Sequence, residues 1–331
     1  PDAIYSFKHA LVRDAAYESL LKSRRHQLHG RIATTLENEF PDVVASEPEI
    51  LARHFTEAGM TDHAVDYWLQ AGRLAVSRSA NAEAVKHLGR GIELLAEQAP
   101  SAERVRKELD FYLSLGPAMS ATKGDAAQET SAAFARAREL LGDGGTLQDQ
   151  MTVLWGAYLA HSVRGEHTLA LDVARQCLAL GRSHDHQGIS ALAHRFMGQT
   201  LYFMGSFVDS RAYLERTLEI CDANEETIAT YRRFGTDDRV NALTFLAHVL
   251  LILGYPNKAA AAAEKAGARA RAIGQAFTTA LALSQTAVLG IFGGDLQQSL
   301  ADADEALAIS FTNGFASARQ RASFFRGALL S

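Results

Sequence analysis

The stretch GQTLYFMGSFVDSRAYLERT, residues 198–217, decides the fold. Gly205 breaks two helical runs. Gly198 stands seven residues before it, Ser210 five after it and Thr217 twelve after it. All three are small. Ser210 and Thr217 are seven apart, two helical turns, so they share one face on which a second helix can approach closely. The same pattern surrounds Ser79, Gly165, Gly254 and Gly294. Seven before stand Gly72, Tyr158, Ala247 and Ala287; five after, Ala84, Ala170, Ala259 and Ser299; twelve after, Gly91, Cys177, Ala266 and Ala306. Only Tyr158 is large. From Gly165 to Gly294 the glycines are spaced 40, 49 and 40 apart. A helix–turn–helix unit at that period predicts stacked helical hairpins.

The expected fold is all-α, a right-handed superhelical solenoid of about six hairpins closest to tetratricopeptide repeats. Composition agrees. Of 331 residues 47% are hydrophobic and 21% charged, with six prolines. That is too long for one ordinary globular core, but a solenoid escapes the limit because each unit touches only its neighbours. Sixteen helices are predicted, from 8–21 and 23–39 through 101–118 and 126–141 to 276–292, 295–312 and 315–330. Pro41 and Pro48 bracket a predicted loop. Ile4–Phe7 is the one short strand expected. The net charge of −5 argues against nucleic-acid binding. No apolar run reaches membrane-spanning length, and a cytoplasmic location with reduced Cys177 and Cys221 is expected. A start at Pro1 reads as an excised or processed chain.

Residues 223–238 lengthen one repeat and are polar. Tyr231, Arg232, Arg233, Phe234, Asp237 and Asp238 are the candidate partner-binding loop, with a solvated spacer as the alternative. Gly116 to Gly124 is the one stretch resembling a phosphate loop, but it lacks GxxxxGK[ST] and follows a helix, so it reads as a helix–helix connection. The pairs His161/His167 and His184/His186 fall at opposite ends of a hairpin and lack further ligands, so no metal is assigned. The basic run Lys22, Arg24, Arg25 and Arg31 lacks interleaved aromatics and reads as a contact to a neighbouring domain or a solvated face. No nucleophile motif is present, and no catalytic residue or cofactor is expected in this chain. Leu88, Leu214, Trp68, Trp155 and Phe196 are expected to pack the hairpins.

Four segments carry a family resemblance: FKHALVRDAAYESLL at 7–21, YWLQAGRLAVSRSANAEAVKHLGRGIELL at 67–95, LGPAMSATKGDAAQET at 115–130, and FGTDDRVNALTFLAHVLLILGYPNKA at 234–259. In this order they resemble the C-terminal helical region of bacterial signalling proteins that join a class III adenylate/guanylate cyclase to an AAA+/STAND-type ATPase and tetratricopeptide-like repeats. The resemblance implies that residues 1–40 end a winged-helix domain and its connecting helices, and that 41–331 form the repeat domain. It implies a regulatory or scaffolding module that binds a protein, peptide or small effector in a groove and signals to ATPase and cyclase domains absent here. ATP or ADP is then expected in the parent alone. Some relatives carry a DNA-binding output, so the alternative is the sensor arm of a transcriptional regulator that binds a small inducer. FKHALVRDAA is similar to the MHD segment of STAND ATPases, which places His9 where a histidine contacts ADP in the parent. Residues 315–330 read as half a hairpin, with Phe324, Phe325, Leu329 and Leu330 supplying apolar surface for weak self-association.

Overall fold

The computed structural model describes residues 17–142, 144–223, 237–292 and 295–331. His9, the strand expected at 4–7, and Tyr231 to Phe234 lie outside them. Sixteen α-helices are described: α1 Lys22–Glu39, α2 Pro41–Ser46, α3 Pro48–Glu57, α4 Thr61–Ser77, α5 Asn81–Ala96, α6 Ala102–Lys123, α7 Gln128–Leu141, α8 Leu147–Val163, α9 His167–Ser183, α10 Gln187–Phe203, α11 Phe207–Ala223, α12 Asp238–Ile252, α13 Pro256–Ile273, α14 Ala276–Thr286, α15 Leu296–Asn313 and α16 Ala316–Leu330. No strand occurs among the described residues. The chain divides into two compact units, residues 1–74 with 86–111, and residues 75–85 with 112–331.

One turn chemistry recurs. Gly165, Gly205 and Gly254 have φ of 71°, 79° and 82°, in the left-handed region that glycine enters without a Cβ penalty. In each turn two amides reach back to the preceding helix. Gly205 N–H donates to Tyr202 O at 3.1 Å and Ser206 N–H to Leu201 O at 2.9 Å; Gly254 and Tyr255 repeat the pair on Leu251 and Leu250. This Schellman closure satisfies carbonyls that the helix end leaves open. Ser79 holds the same conformation, φ 60°, without being glycine.

All fifteen small-position residues are buried. Their neighbours show why most are small. Position −7 faces the residue nine after the turn, sixteen along the chain. A Cβ on Gly72 would collide with Leu88, and one on Gly198 would lie 2.7 Å from Leu214 Cγ. Where the first residue is Tyr158, the second is Ala174, in the same core cluster. Ala247 with Ala263 and Ala287 with Ala303 are balanced pairs. In no hairpin are both members large, and the larger side chain stands on the first helix at Tyr158 and on the second at Leu88 and Leu214, as close packing allows.

In the second unit the first helices of successive hairpins touch one another, α10 on α12, α12 on α14 and α14 on α16. They form one layer, and α10, α12 and α14 are buried on most of their surface. α12 buries eleven of its residues, from Asp238 to Leu250. Second helices such as α13 bury one stripe, Ala259, Ala262, Ala266, Gly267 and Ala270. Leu88, Leu214, Trp68, Trp155 and Phe196 are all core residues.

Three local expectations are corrected. Residues 41–46 are helical, because Pro41 sits at the first helical position, where its missing N–H costs nothing. α6 runs through Pro117 to Lys123, so the phosphate-loop lookalike is helix rather than a connection; the connection begins at Gly124, φ 93°. Gly116 lets Phe134 pack against α6, with 2.5 Å from its virtual Cβ to that ring. The predicted helix 276–292 ends as α at Thr286 and tightens to a 3₁₀ turn over Ala287–Phe292.

Candidate functional site

Asp237 and Asp238, two residues of the expected partner-binding loop, are interior groups. Asp237 is 3% exposed and caps α12, its Oδ1 accepting from Val240 N–H at 2.9 Å. It also accepts from Arg269 Nη2 at 3.2 Å. Asp238 accepts from Arg195 Nε at 2.5 Å, and both side chains are buried. Arg195 further donates to Gln199 Oε1 at 3.1 Å and lies 4.6 Å over the Phe196 ring. Arg239 donates to Asp222 at 2.8 Å and to Cys221 O at 2.6 Å. Residues on the two sides of the 223–238 interval are therefore clasped together. Burial pushes the Asp238 carboxyl up, and Arg195 opposes that shift. These aspartates are buried and hold repeats together.

A second polar group lies in the layer of first helices. His248 of α12 donates from Nε2 to the Gln285 carbonyl of α14 at 2.9 Å. Burial pushes this imidazole down, as does the charge of Arg321 on α16, so the neutral tautomer carrying the Nε2 proton fits. Asp125, between α6 and α7, accepts from Ser120 Oγ and feels the same guanidinium; burial pushes its carboxyl up. Two atoms of this group are buried without a hydrogen-bond partner, Arg321 Nη1 and Gln285 Oε1. One is a donor and the other an acceptor. Leaving such groups unpaired costs about 1–3 kcal/mol each, so they favour a ligand or water offering the complementary atoms. The four residues come from four separate segments, and no sequence motif links them.

A third feature repeats with the hairpins. Two residues before each turn glycine stand Val163, Phe203, Ile252 and Phe292, exposed at 44%, 50%, 51% and 65%. They make an apolar position repeated along the turn edge. The turn alignment contains this signal, but residue type alone cannot separate an exposed apolar side chain at a helix end from a core one. The histidines near these turns have other roles: His161 Nδ1 bonds Glu166 at 2.6 Å, His167 stacks on Phe203, and His186 caps α10. Among the described residues no three metal-ligating side chains converge. No helix there is long and apolar enough to cross a membrane. At α16, Phe324 and Leu330 are exposed, while Leu329 is buried with Ala287 and Ala303.

No family model matches the chain. An uncharacterised protein of Rhizobium meliloti is 24% identical over 302 residues, which cover 89% of this chain and 28% of that protein. The chain thus spans little more than a quarter of the length of the curated relative it matches. Among solved structures, Rap protein complexed with Competence and Sporulation Factor aligns with a TM-score of 0.54 at 15% identity, over 80% of this chain and 70% of that one. A chain of the APC/C hetero-tetramer Cut9–Hcn1 aligns with a TM-score of 0.52 at 14% identity, over 97% of this chain and 55% of that one. The STAND protein with a tetratricopeptide repeat sensor from Pyrococcus horikoshii is matched at 16% identity and a TM-score of 0.49, over 97% and 47%. Together with the recurring hairpins, the likenesses to the Rap and APC/C structures establish the fold as an all-helical array of tetratricopeptide-like repeats.

Proposed function

We propose that this chain is the binding module of a larger signalling protein, and that its layer of first helices holds a protein segment, peptide or small effector. The observation that carries the reading is the unpartnered pair Arg321 Nη1 and Gln285 Oε1, buried beside Asp125 and His248. A ligand with an acceptor for the guanidinium and a donor for the amide oxygen completes both. The fold supports the reading, since the Rap structure of the same fold was solved with a bound factor. The four resemblance segments support a parent that couples the module to a STAND-type ATPase and an adenylate/guanylate cyclase. In that parent, effector binding shifts the population of ATPase states only through a difference in affinity between them.

The test is a thermal-shift screen of the purified chain against fractionated bacterial extract, run in parallel on Arg321→Gln. A fraction that raises the melting temperature of the native chain and loses most of that effect on the variant supports the reading. Fractions that stabilise both equally place the ligand elsewhere.

A further inference from the structure

The basic run at the start of α1 makes a groove of its own, separate from the layer of first helices and independent of the function proposed for it. α1 carries Lys22, Arg24, Arg25 and Arg31 before its first carboxylate, Glu37, in a chain whose net charge is −5. Beside it lies a groove of about 640 Å³ whose lining contains no carboxylate. Arg24, Gln27 and Arg31 stand along its α1 side, all exposed. Its floor is apolar: Gly30 faces Ala58 and Met60, with 3.7 Å and 3.8 Å from its virtual Cβ to their nearest atoms. Arg24 bonds Gln27 weakly at 3.5 Å, and neither Arg24 nor Arg31 has a carboxylate partner among the described residues. The two arginines are seven residues apart on one helix face, about 10 Å along the axis.

We infer that this groove docks an acidic amphipathic helix of a protein partner. An apolar side chain of the partner seats on Gly30, Ala58 and Met60, and carboxylates about one turn to either side pair with Arg24 and Arg31. The apolar floor and the seven-residue spacing fit a helical ligand with the same period. Single-stranded nucleic acid is disfavoured because no Phe, Tyr or Trp ring lines the groove to stack a base, His26 being the one ring there.

The test uses the full 331-residue chain and fluorescence anisotropy. The probe is a labelled, alanine-rich synthetic helix of about eighteen residues in which two glutamates seven apart flank a leucine. Binding is expected to weaken with added salt and to fall about tenfold or more when both glutamates are replaced by glutamine. Arg24→Glu with Arg31→Glu abolishes it, and Arg24→Gln with Arg31→Gln, which leaves circular dichroism unchanged, weakens it. Arg175→Glu, on an exposed face of α9, leaves it intact. The inference is overturned if the probe fails to bind, if the glutamine probe binds as well, if the paired variants bind normally, or if a single-stranded DNA of equal charge binds more tightly than the probe.

Discussion

Arg195 Nε and Asp238 Oδ1 meet at 2.5 Å between α10 and α12, and both side chains are buried. The pair bridges the one repeat whose period is 49 rather than 40 residues. Neither charge has water to fall back on, so removing one strands the other. Arg195→Met or Asp238→Leu alone is expected to cost about 3–5 kcal/mol, whereas the two together cost much less. Urea unfolding of the four proteins checks this. Additive losses would mean that the pair contributes little beyond its two separate members.

The turn conformation gives a prediction of opposite sign at two equivalent positions. Ser79 and Gly205 both have positive φ, 60° and 79°. Nothing lies within 4 Å of a Cβ placed on Gly205, so any penalty there is backbone strain. Ser79→Gly should stabilise, and Gly205→Ala destabilise, each by about 1 kcal/mol. Thermal melts of the two variants decide it; a Ser79→Gly protein that melts lower than the parent would contradict the account.

The close helix contacts of α13 set a third expectation. Ala259 and Ala266 are buried at 1% and 0%. Ala259→Leu and Ala266→Leu should each cost about 1–3 kcal/mol through overpacking, while Glu264→Gln on the exposed side stays within about 0.5 kcal/mol. Equal melting temperatures for all three would show that the register of this hairpin is wrong.

Acid should weaken the fold through its buried imidazoles. Burial pushes His248 and His194 below 6.5, and His54 also, where His29 and Arg53 add to the effect. His54 Nδ1 lies 2.8 Å from His29 Nδ1, so one of the two must accept and cannot carry a proton there. The unfolded chain then binds protons that the folded chain refuses. Stability is fully present above pH 6.5 and falls as the pH drops through that unfolded value toward the lower folded ones. Urea midpoints at successive pH values should decline over this window, and His248→Gln should flatten part of the decline. An unchanged slope in that variant would remove His248 from the explanation.

Much of the fold was legible because its information is local and periodic. The glycines at 165, 205 and 254 mark turns by backbone freedom, and the small positions mark helix faces by spacing alone. The helix over Pro41–Ser46 was hidden because proline signals both a loop and a first helical turn. The stretch from Gly116 to Gly124 was misleading for a related reason: glycine marks a connection but also a close helix contact, as Gly116 does against Phe134. Asp237 was read as loop surface although an acidic residue before an apolar helix is also an N-cap signal, and its partner Arg269 lies 32 residues on. The group of Asp125, His248, Gln285 and Arg321 could not be read at all, since only the stacking of hairpins brings these segments together.

Every assignment to the layer of first helices depends on how each hairpin closes, and Gly198 with Leu214 tests that closure most directly. A side chain on Gly198 would occupy the space of Leu214, 2.7 Å from its Cγ and 3.2 Å from its amide nitrogen. The hairpin of Tyr158 and Ala174 shows the reverse arrangement in the same fold. The measurement is the unfolding free energy of Gly198→Leu, Leu214→Ala and the two combined. The account predicts that each single change costs more than about 2 kcal/mol and that the double variant recovers at least about 1 kcal/mol of their sum. A double variant no more stable than that sum would contradict the reciprocal packing on which the repeat assignment rests.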